Sequence, residues 1–319
     1  MQWLVGVILN DKLISTYRSF GAPVNQHRIV LLLEILTIKL LFVIIRKNGK
    51  IISIQLSNKN RKNKFFMSRL ENKVALITGG AGGIGKATAK QFLNEGGRVM
   101  LIDLNEDDLR KLQEELASDA VYYIAADVSK TEDVKKYAKK AEDLFGKVDV
   151  FFNNAGIEGQ VKPITDYPVE EFDKVMAVNV RGAWLGMKFI IPLMKDGGSI
   201  IISSSVAGLR GTANVSAYVA SKHALNGITR SLALELAERN IRVNAINPSP
   251  VDNRMMRSLE QGFSPDDTKN AKSQFEQMIP LGRYAVNKDI ANLVAFLASD
   301  ESSFITGAIH AIDGGMTAK

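Results

Sequence analysis

A tyrosine stands four positions ahead of a lysine in Ser216–Lys222, which reads SAYVASK. On a helix, residues i and i+4 share a face, so Tyr218 and Lys222 would be neighbours. A free phenol has a pKa of about 10, too high for a good base at neutral pH. A nearby ammonium favours the phenolate and lowers that value. The pair therefore reads as a proton-transfer centre. Taken alone, however, the spacing is common, and a solvated helix face is the default explanation.

A second chemical signal lies near the start of the main body, in VALITGGAGGIGKATA. Gly79, Gly83 and Gly85 follow a G-x-x-x-G-x-G spacing directly after a β-branched run, and Gly80, Ala81, Gly82 and Ile84 complete the loop. Glycine permits a tight strand-to-helix turn and close approach of backbone N–H groups to a pyrophosphate. A helix beginning near Gly83 would turn its positive end toward the phosphates. The next β-branched run ends in LIDLNEDD, with Asp103 at its tip, Leu104 after it, and Gly79 24 positions before Asp103. An acid there binds the adenosine ribose hydroxyls. It would repel an additional 2′-phosphate, so the expected cofactor is NAD. Asp103 could instead cap the following helix, although Asn105 is equally able to do so.

These residues need a scaffold, and the chain supplies its pattern. Short β-branched runs at 73–78, 98–103, 121–126, 148–152, 199–204, 241–247 and 307–312 alternate with longer amphipathic stretches. The latter include Asn105–Ala117, Lys130–Phe145, Val169–Met194, Ala217–Glu238 and Lys288–Ala298. Alternation on this scale predicts βαβ units, with a parallel sheet covered on both faces. The runs are almost continuously apolar, as doubly covered parallel strands are. The expected fold class is α/β: a single Rossmann-like doubly wound domain over 67–319, with a mainly parallel seven-stranded sheet and helices on both faces.

Composition narrows the function further. The chain of 319 residues has no cysteine and three scattered histidines, so neither a disulfide framework nor a metal site is expected. The net charge of +7 is unevenly spread: residues 1–66 hold 11 Lys/Arg and 2 Asp/Glu, the remainder 30 and 32. The body is near neutral and carries no nucleic-acid footprint. The first 66 residues differ in character, with an apolar run at Ile29–Ile45 and a basic tract at Asn58–Phe66. The run is short for a membrane span and contains Glu34 and Lys39. No basic segment precedes WLVGVIL and no small-residue cleavage site follows, so a secretory signal fits poorly. An upstream extension outside the functional fold, with Met67 as its natural start, is favoured. A weak membrane anchor and an additional structured element are the alternatives. No membrane association is expected, and the expected location is cytoplasmic.

Further motifs turn the pattern into a resemblance. In IISSSVAG, Ser205 is expected at the end of a strand, thirteen positions before Tyr218; FFNNAG closes the run at 151–156; VMAVNVRG occupies 175–182 inside a long helical stretch. Together with the glycine loop and Tyr218–Lys222, these resemble the short-chain dehydrogenase/reductase family over essentially all of 67–319. The resemblance implies that Tyr218 is the general acid/base and that Ser205 hydrogen-bonds the reacting oxygen. It implies that Lys222 tunes Tyr218 and holds the nicotinamide ribose, and that Asn179 holds a water in a proton relay. Asn154 and Gly156 would support the central strand and the cofactor, and Asp127 and Val128 would flank the adenine. Pro248, Val251 and Asn253 would complete the cofactor contacts. The family often carries Pro-Gly-x-Val-x-Thr at that last place. Here the chain reads NPSPVDN, so Ser249 replaces the glycine and Asn253 the threonine. Asn287 stands where a proline is common.

The segment at about 252–278 is long for a connection after a strand and carries Met255, Met256, Leu259, Phe263 and Phe275. Long insertions of this kind are often lids, and its apolar residues suit an apolar substrate. Packing of a short helix pair or a subunit contact is the other reading. Within the family the body looks most like the branch acting on secondary and cyclic alcohols, of the cyclohexanol or cyclohexadiene-diol type. The expected activity is hydride transfer between NAD(H) and a small-molecule alcohol or ketone. A 3-oxoacyl-carrier-protein reductase, a glucose-type sugar dehydrogenase and a non-catalytic NAD-binding sensor are the rival readings. A homo-oligomer, dimer or tetramer, is expected through the long helices and the C-terminal strand region.

Overall fold

The seven apolar runs become seven parallel strands, ordered β5-β4-β3-β6-β7-β8-β9 across one sheet. They are β3 (Val74–Thr78), β4 (Arg98–Asp103), β5 (Val121–Ala125), β6 (Val148–Asn153), β7 (Met194–Ser203), β8 (Arg242–Pro248) and β9 (Ile309–Ile312). The order reverses direction between β3 and β6. In an open α/β sheet, ligands bind at such a switch point, outside the carboxyl ends of the strands. The computed structural model describes residues 42–47, 50–55 and 68–318. By its internal contacts the chain divides into two units, Met1–Phe65 and Phe66–Lys319. In the first unit, β1 (Phe42–Lys47) pairs antiparallel with β2 (Lys50–Gln55). Most of the apolar run from Ile29 and the whole tract Asn58–Phe66 lie outside the described residues; the described end of that run is strand. Among the described residues, no helix is long and apolar enough to cross a membrane.

Alternation along each strand sends neighbouring side chains to opposite faces. Leu76, Met100, Ile102, Phe151, Ile200 and Ile202 enter one buried cluster with Tyr137 and Leu225. Ala75, Ile77, Leu101, Phe152, Ile201 and Ile246 enter the other with Phe92, Ile290 and Val294. Both faces are therefore covered, which is why the strands show no polar alternation. The first face is covered by α3 (Thr131–Phe145), α5 (Ala183–Ile190) and α6 (Ser216–Glu235), and α4 (Val169–Met176) packs against α6. The second lies under α1 (Gly83–Asn94), α2 (Glu106–Leu116) and α9 (Asn287–Ala298). Between β8 and α9 stand α7 (Arg254–Phe263) and α8 (Thr268–Gln277).

Three boundaries differ from the sequence expectation. The stretch expected as one helix over Val169–Met194 is α4 and α5 joined by a wide π turn at Ala177–Gly182, and it ends in a short 3₁₀ turn at Ile191–Leu193. Asn179 lies within that π turn. Strand β7 begins at Met194 rather than 199 and stops at Ser203. Ser205 is therefore not in the strand; it caps a 3₁₀ turn at Val206–Gly208. Local patterning could not give the π turn, because Asn179 within it is held by Ile157 and Ser221, distant in sequence.

Candidate active site

The cofactor side is built from backbone. Gly79 takes a left-handed φ of +64°, and a Cβ at Gly85 would overlap the Gly79 carbonyl oxygen. The third glycine thus lets α1 pack against the turn. Gly82 caps α1 without a side-chain bond, and no acidic residue occupies the first turn. The N–H groups there are free of competing side chains, and the helix dipole favours an anion. Asp103 holds the turn from the next strand: its Oδ2 accepts from Ala81 N–H at 3.0 Å and its Oδ1 from Leu104 N–H at 2.7 Å. Asn105, not Asp103, caps α2, accepting from Asp108 N–H at 3.2 Å. The rim of this side is a shallow cleft lined by Leu104, Asn105, Glu106, Asp107 and Arg110. Arg110 is held by Asp107 at 3.0 Å and Glu114 at 3.6 Å. A glycine cradle, an open helix end and a ribose-height carboxylate fit a nicotinamide dinucleotide.

The other residues expected to contact a cofactor brace this edge. Thr78 Oγ1 accepts from the N–H groups of Asn154 and Ala155, at 2.9 and 3.1 Å, and Asn154 Nδ2 donates to Thr78 O at 3.0 Å. The ends of β3 and β6 are thereby tied together. Asp127 Oδ1 accepts from the N–H and hydroxyl of Ser129, at 2.9 and 2.7 Å, so its side chain shapes its own turn. Val128 packs against Gly182. Val251 forms a parallel bridge with Ala285, just past Pro248 at the end of β8. Asn253 Oδ1 caps α7, accepting from Met256 N–H at 3.2 Å, which leaves its amide N–H₂ for another partner.

Proton-transfer candidates converge from four separate segments. Lys222 is only 4% exposed, and its Nζ donates to Ser203 O at 2.9 Å while lying 5.4 Å from the Tyr218 ring centre. Tyr218 is half-buried, with Ser205 within hydrogen-bonding reach of its phenol. Asn247 Nδ2 donates to Ser205 O at 2.6 Å and holds that turn from β8. Asn179 is fully buried. Its Oδ1 accepts from Ile157 N–H at 2.8 Å, and its Nδ2 donates to Ile157 O at 2.9 Å and to Ser221 Oγ at 3.0 Å. Ser221 Oγ donates in turn to Tyr218 O at 2.7 Å. Gly156 lies so close that a Cβ there would stand 3.5 Å from Lys222 Nζ.

The electrostatics depart from the sequence expectation. Burial pushes the Tyr218 phenol up to about 12; the Ser205 hydrogen bond pulls against this, and the charge on Glu158 adds to it. Burial pushes Lys222 down to about 8. The anticipated lowering of the phenol by its lysine does not occur in the protein alone, because desolvation disfavours the charged form of both groups.

Several residues of this site were not singled out in the sequence. Thr78, Ser203, Ser221 and Asn247 position the others through hydrogen bonds that no spacing encodes. Glu158 follows NNAG at the carboxyl end of β6, and its place at a strand end was a usable signal. The segment at 252–278 forms two helices whose Phe263 and Phe275 meet edge to face at 5.5 Å. Met256 is buried with Val206, Ile279, Tyr284 and Met316, and Leu259 and Phe275 pack on that cluster. An open cleft of about 450 Å³, lined by Leu209, Arg210, Met278, Met316 and Thr317, borders this segment. Among the described residues, no three His, Cys, Asp or Glu side chains cluster as metal ligands.

Fold and site together define a nicotinamide-dependent oxidoreductase architecture, and comparison with known proteins agrees. A family model described as Enoyl-(Acyl carrier protein) reductase matches residues 79–317. Levodione reductase from Leifsonia aquatica is 38% identical over 79% of this chain and 96% of its own length. Cyclohexanol dehydrogenase from Acinetobacter sp. (strain SE19) is 34% identical over 80% of this chain and 99% of its own. A crystal structure of NAD+-bound xylitol dehydrogenase superposes with a TM-score of 0.72 at 35% identity, covering 77% of this chain and 99% of that one. The chain belongs to the short-chain dehydrogenase/reductase family and is an oxidoreductase of that class.

Proposed function

We propose that this protein transfers a hydride between NAD(H) and a secondary alcohol or ketone, of cyclic or otherwise apolar character. The observation that carries the reading is the meeting of Tyr218, Ser205 and Lys222 at the carboxyl edge of the sheet, beside the Gly79–Gly85 turn and Asp103. When bound, the nicotinamide accepts or returns the hydride. Tyr218 takes the hydroxyl proton during oxidation and returns it to the carbonyl oxygen during reduction. Ser205 donates a hydrogen bond to that oxygen and stabilises its developing charge. Lys222 relays the proton onward, and Asn179 holds its path by clamping Ile157 and Ser221.

Asp103 selects NAD over NADP, because a carboxylate at the end of β4, oriented by Ala81 and Leu104 N–H groups beside a rim carrying Glu106 and Asp107, would repel a 2′-phosphate. An apolar substrate is supported by Met256, Leu259 and Phe275 of the lid, packed beside Val206. The names of the relatives above, a levodione reductase and a cyclohexanol dehydrogenase, point the same way. Residues 1–66 act as an extension outside the catalytic fold, and the enzyme works in the cytoplasm as a homo-oligomer. Support for association comes from exposed apolar side chains on the long helices: Val169, Phe172, Trp184 and Leu234.

The test is a panel of cyclic and acyclic secondary alcohols and ketones, followed by absorbance of the reduced cofactor with NAD(H) and with NADP(H). Turnover of cyclic alcohols with NAD+ is expected. A protein that binds NADH yet turns over none of the panel would overturn the reading.

A further inference from the structure

Glu158 is a carboxylate buried beside the proton-transfer centre with no partner of its own. It is 9% exposed, and among the described residues it accepts no side-chain or backbone hydrogen bond and forms no ion pair. Its oxygens are nevertheless not sealed within the protein, since they are absent from the fully enclosed unpartnered atoms. The neighbouring Ile157 is clamped by Asn179 within this same centre, and the charge of Glu158 is felt at the Tyr218 phenol. A buried carboxylate without a donor is costly, so one in this position calls for a ligand.

The backbone holding Glu158 is tied down on both sides. Before it, both peptide groups of Ile157 are engaged by Asn179, at 2.8 and 2.9 Å. After it, Gln160 N–H donates to Tyr167 Oη at 3.1 Å. Val161 of the same loop sits under Gly262 of the lid helix α7, where a Cβ would stand 2.6 Å from Val161 Cγ2. The loop therefore spans the space between the proton-transfer centre and the lid, and the backbone on both sides of Glu158 is fixed. Lys222, the buried lysine of this centre, donates instead to Ser203 O. What Glu158 lacks is a small donor arriving with the substrate.

We propose that Glu158 is a specificity residue that accepts a hydrogen bond from a second hydroxyl of the substrate, so that the preferred substrates are ring diols or hydroxyketones rather than simple alcohols. This rests on the alcohol-dehydrogenase reading above and names the substrate class for that site. The lid carries an apolar cluster with Val206, Met256, Leu259 and Phe275, so a single donor group on a hydrocarbon ring suits a site between that cluster and Glu158. A substrate carboxylate in the same place would be repelled. A site built to bind a hydroxyl rejects the analogue lacking it, because its own polar group is then left unpaired. A hydrogen bond to a charged acceptor corresponds to roughly a 10- to 100-fold preference.

The experiment measures kcat/KM with NAD+ for cyclohexanol, the cyclohexane-1,2-, 1,3- and 1,4-diols and trans-4-aminocyclohexanol. Wild type, Glu158→Gln and Glu158→Leu are compared, with NADH binding by fluorescence as the check on folding. In wild type at least one diol is expected to exceed cyclohexanol by about 10- to 100-fold. That ratio should shrink several-fold in Glu158→Gln, which keeps the shape and loses the charge, and approach one in Glu158→Leu. Cyclohexanol and every diol turned over with equal kcat/KM by wild type would overturn the Glu158 assignment while leaving the alcohol reading intact. A diol preference unchanged in both variants, or an amino alcohol preferred over all diols, would overturn it as well. Turnover of none of these compounds despite NADH binding would remove the alcohol reading and this inference together.

Discussion

The glycine turn and the proton-transfer centre both stand at the carboxyl edge of the sheet, yet they are built in opposite ways. The turn is local: Gly79–Gly85 and Asp103 lie within one βαβ unit, and its working groups are backbone N–H donors and one carboxylate. The centre is dispersed: Ile157, Asn179, Ser205 and Tyr218–Lys222 come from four segments, and its working groups are side chains, Tyr218 half-buried and Lys222 and Asn179 buried. Backbone donors cost little to hold ready, because a helix end leaves them unpaired anyway. Buried ionisable side chains are expensive, and the expense is visible as Tyr218 pushed up to about 12 and Lys222 down to about 8. Cofactor binding should therefore tolerate changes at the centre, whereas turnover should not.

The largest expected effect breaks the comparison at the centre. Tyr218→Phe should lower kcat by about 10³- to 10⁴-fold while NADH binding stays within a few-fold of wild type. Equal turnover in that variant would remove Tyr218 from the acid/base role. Asn179→Ala comes next. It leaves both Ile157 peptide groups and Ser221 without their buried partner, so a loss of about 2–4 kcal/mol in denaturant unfolding is expected, with kcat falling more than NADH affinity. A kcat change without any stability change would show that the clamp carries no load.

Lys222 offers a test through pH. Its folded value, about 8, lies below its ordinary 10.5. Between those values the unfolded chain binds more protons than the folded one, so stability rises with pH across the window. Below pH 8 both states are protonated, and the cost of burying the ammonium is fully present. Tyr218, raised above its ordinary 10, acts in the opposite direction only above pH 10. Wild type should therefore gain about 2–3 kcal/mol between pH 8 and 10 relative to Lys222→Met, measured as Tm against pH. Parallel curves for the two proteins would mean that the lysine is not desolvated.

The smallest effects sharpen the comparison at the cofactor end. Asp103→Ala should narrow the preference for NAD over NADP by about tenfold, one charge interaction at partial exposure. An unchanged ratio would move cofactor selection elsewhere along the rim. Asp103 also braces Ala81, so a modest rise in KM for NAD should accompany the change.

How much of this was legible beforehand follows the same division. Strand alternation and glycine spacing are local patterns, and the seven strands, the glycine turn and Asp103 could all be read from them. The π turn around Asn179 could not, because it is stabilised by Ile157 and Ser221, residues 22 and 42 positions away. Ser205 was expected at a strand end and instead caps a turn held by Asn247. The mutual tuning of Tyr218 and Lys222 was inferred from helical spacing alone, which carries no information about burial. Glu158 carries no motif or spacing that assigns it a role; its burial without a donor is visible only in the folded chain.

By itself, the sequence determined the elements and their order, because hydrophobic periodicity and glycine placement act over a few residues. It determined which chemical groups were available: one phenol, one lysine, one serine and one acid at strand and helix positions that face a cleft. Only the tertiary structure decided what those groups experience. Burial, not spacing, sets the charge state of Tyr218 and Lys222, and burial is a property of all the segments packed around them. It also leaves Glu158 without a donor beside the phenol, a circumstance that arises only when the loop after β6, α6 and α7 are brought together.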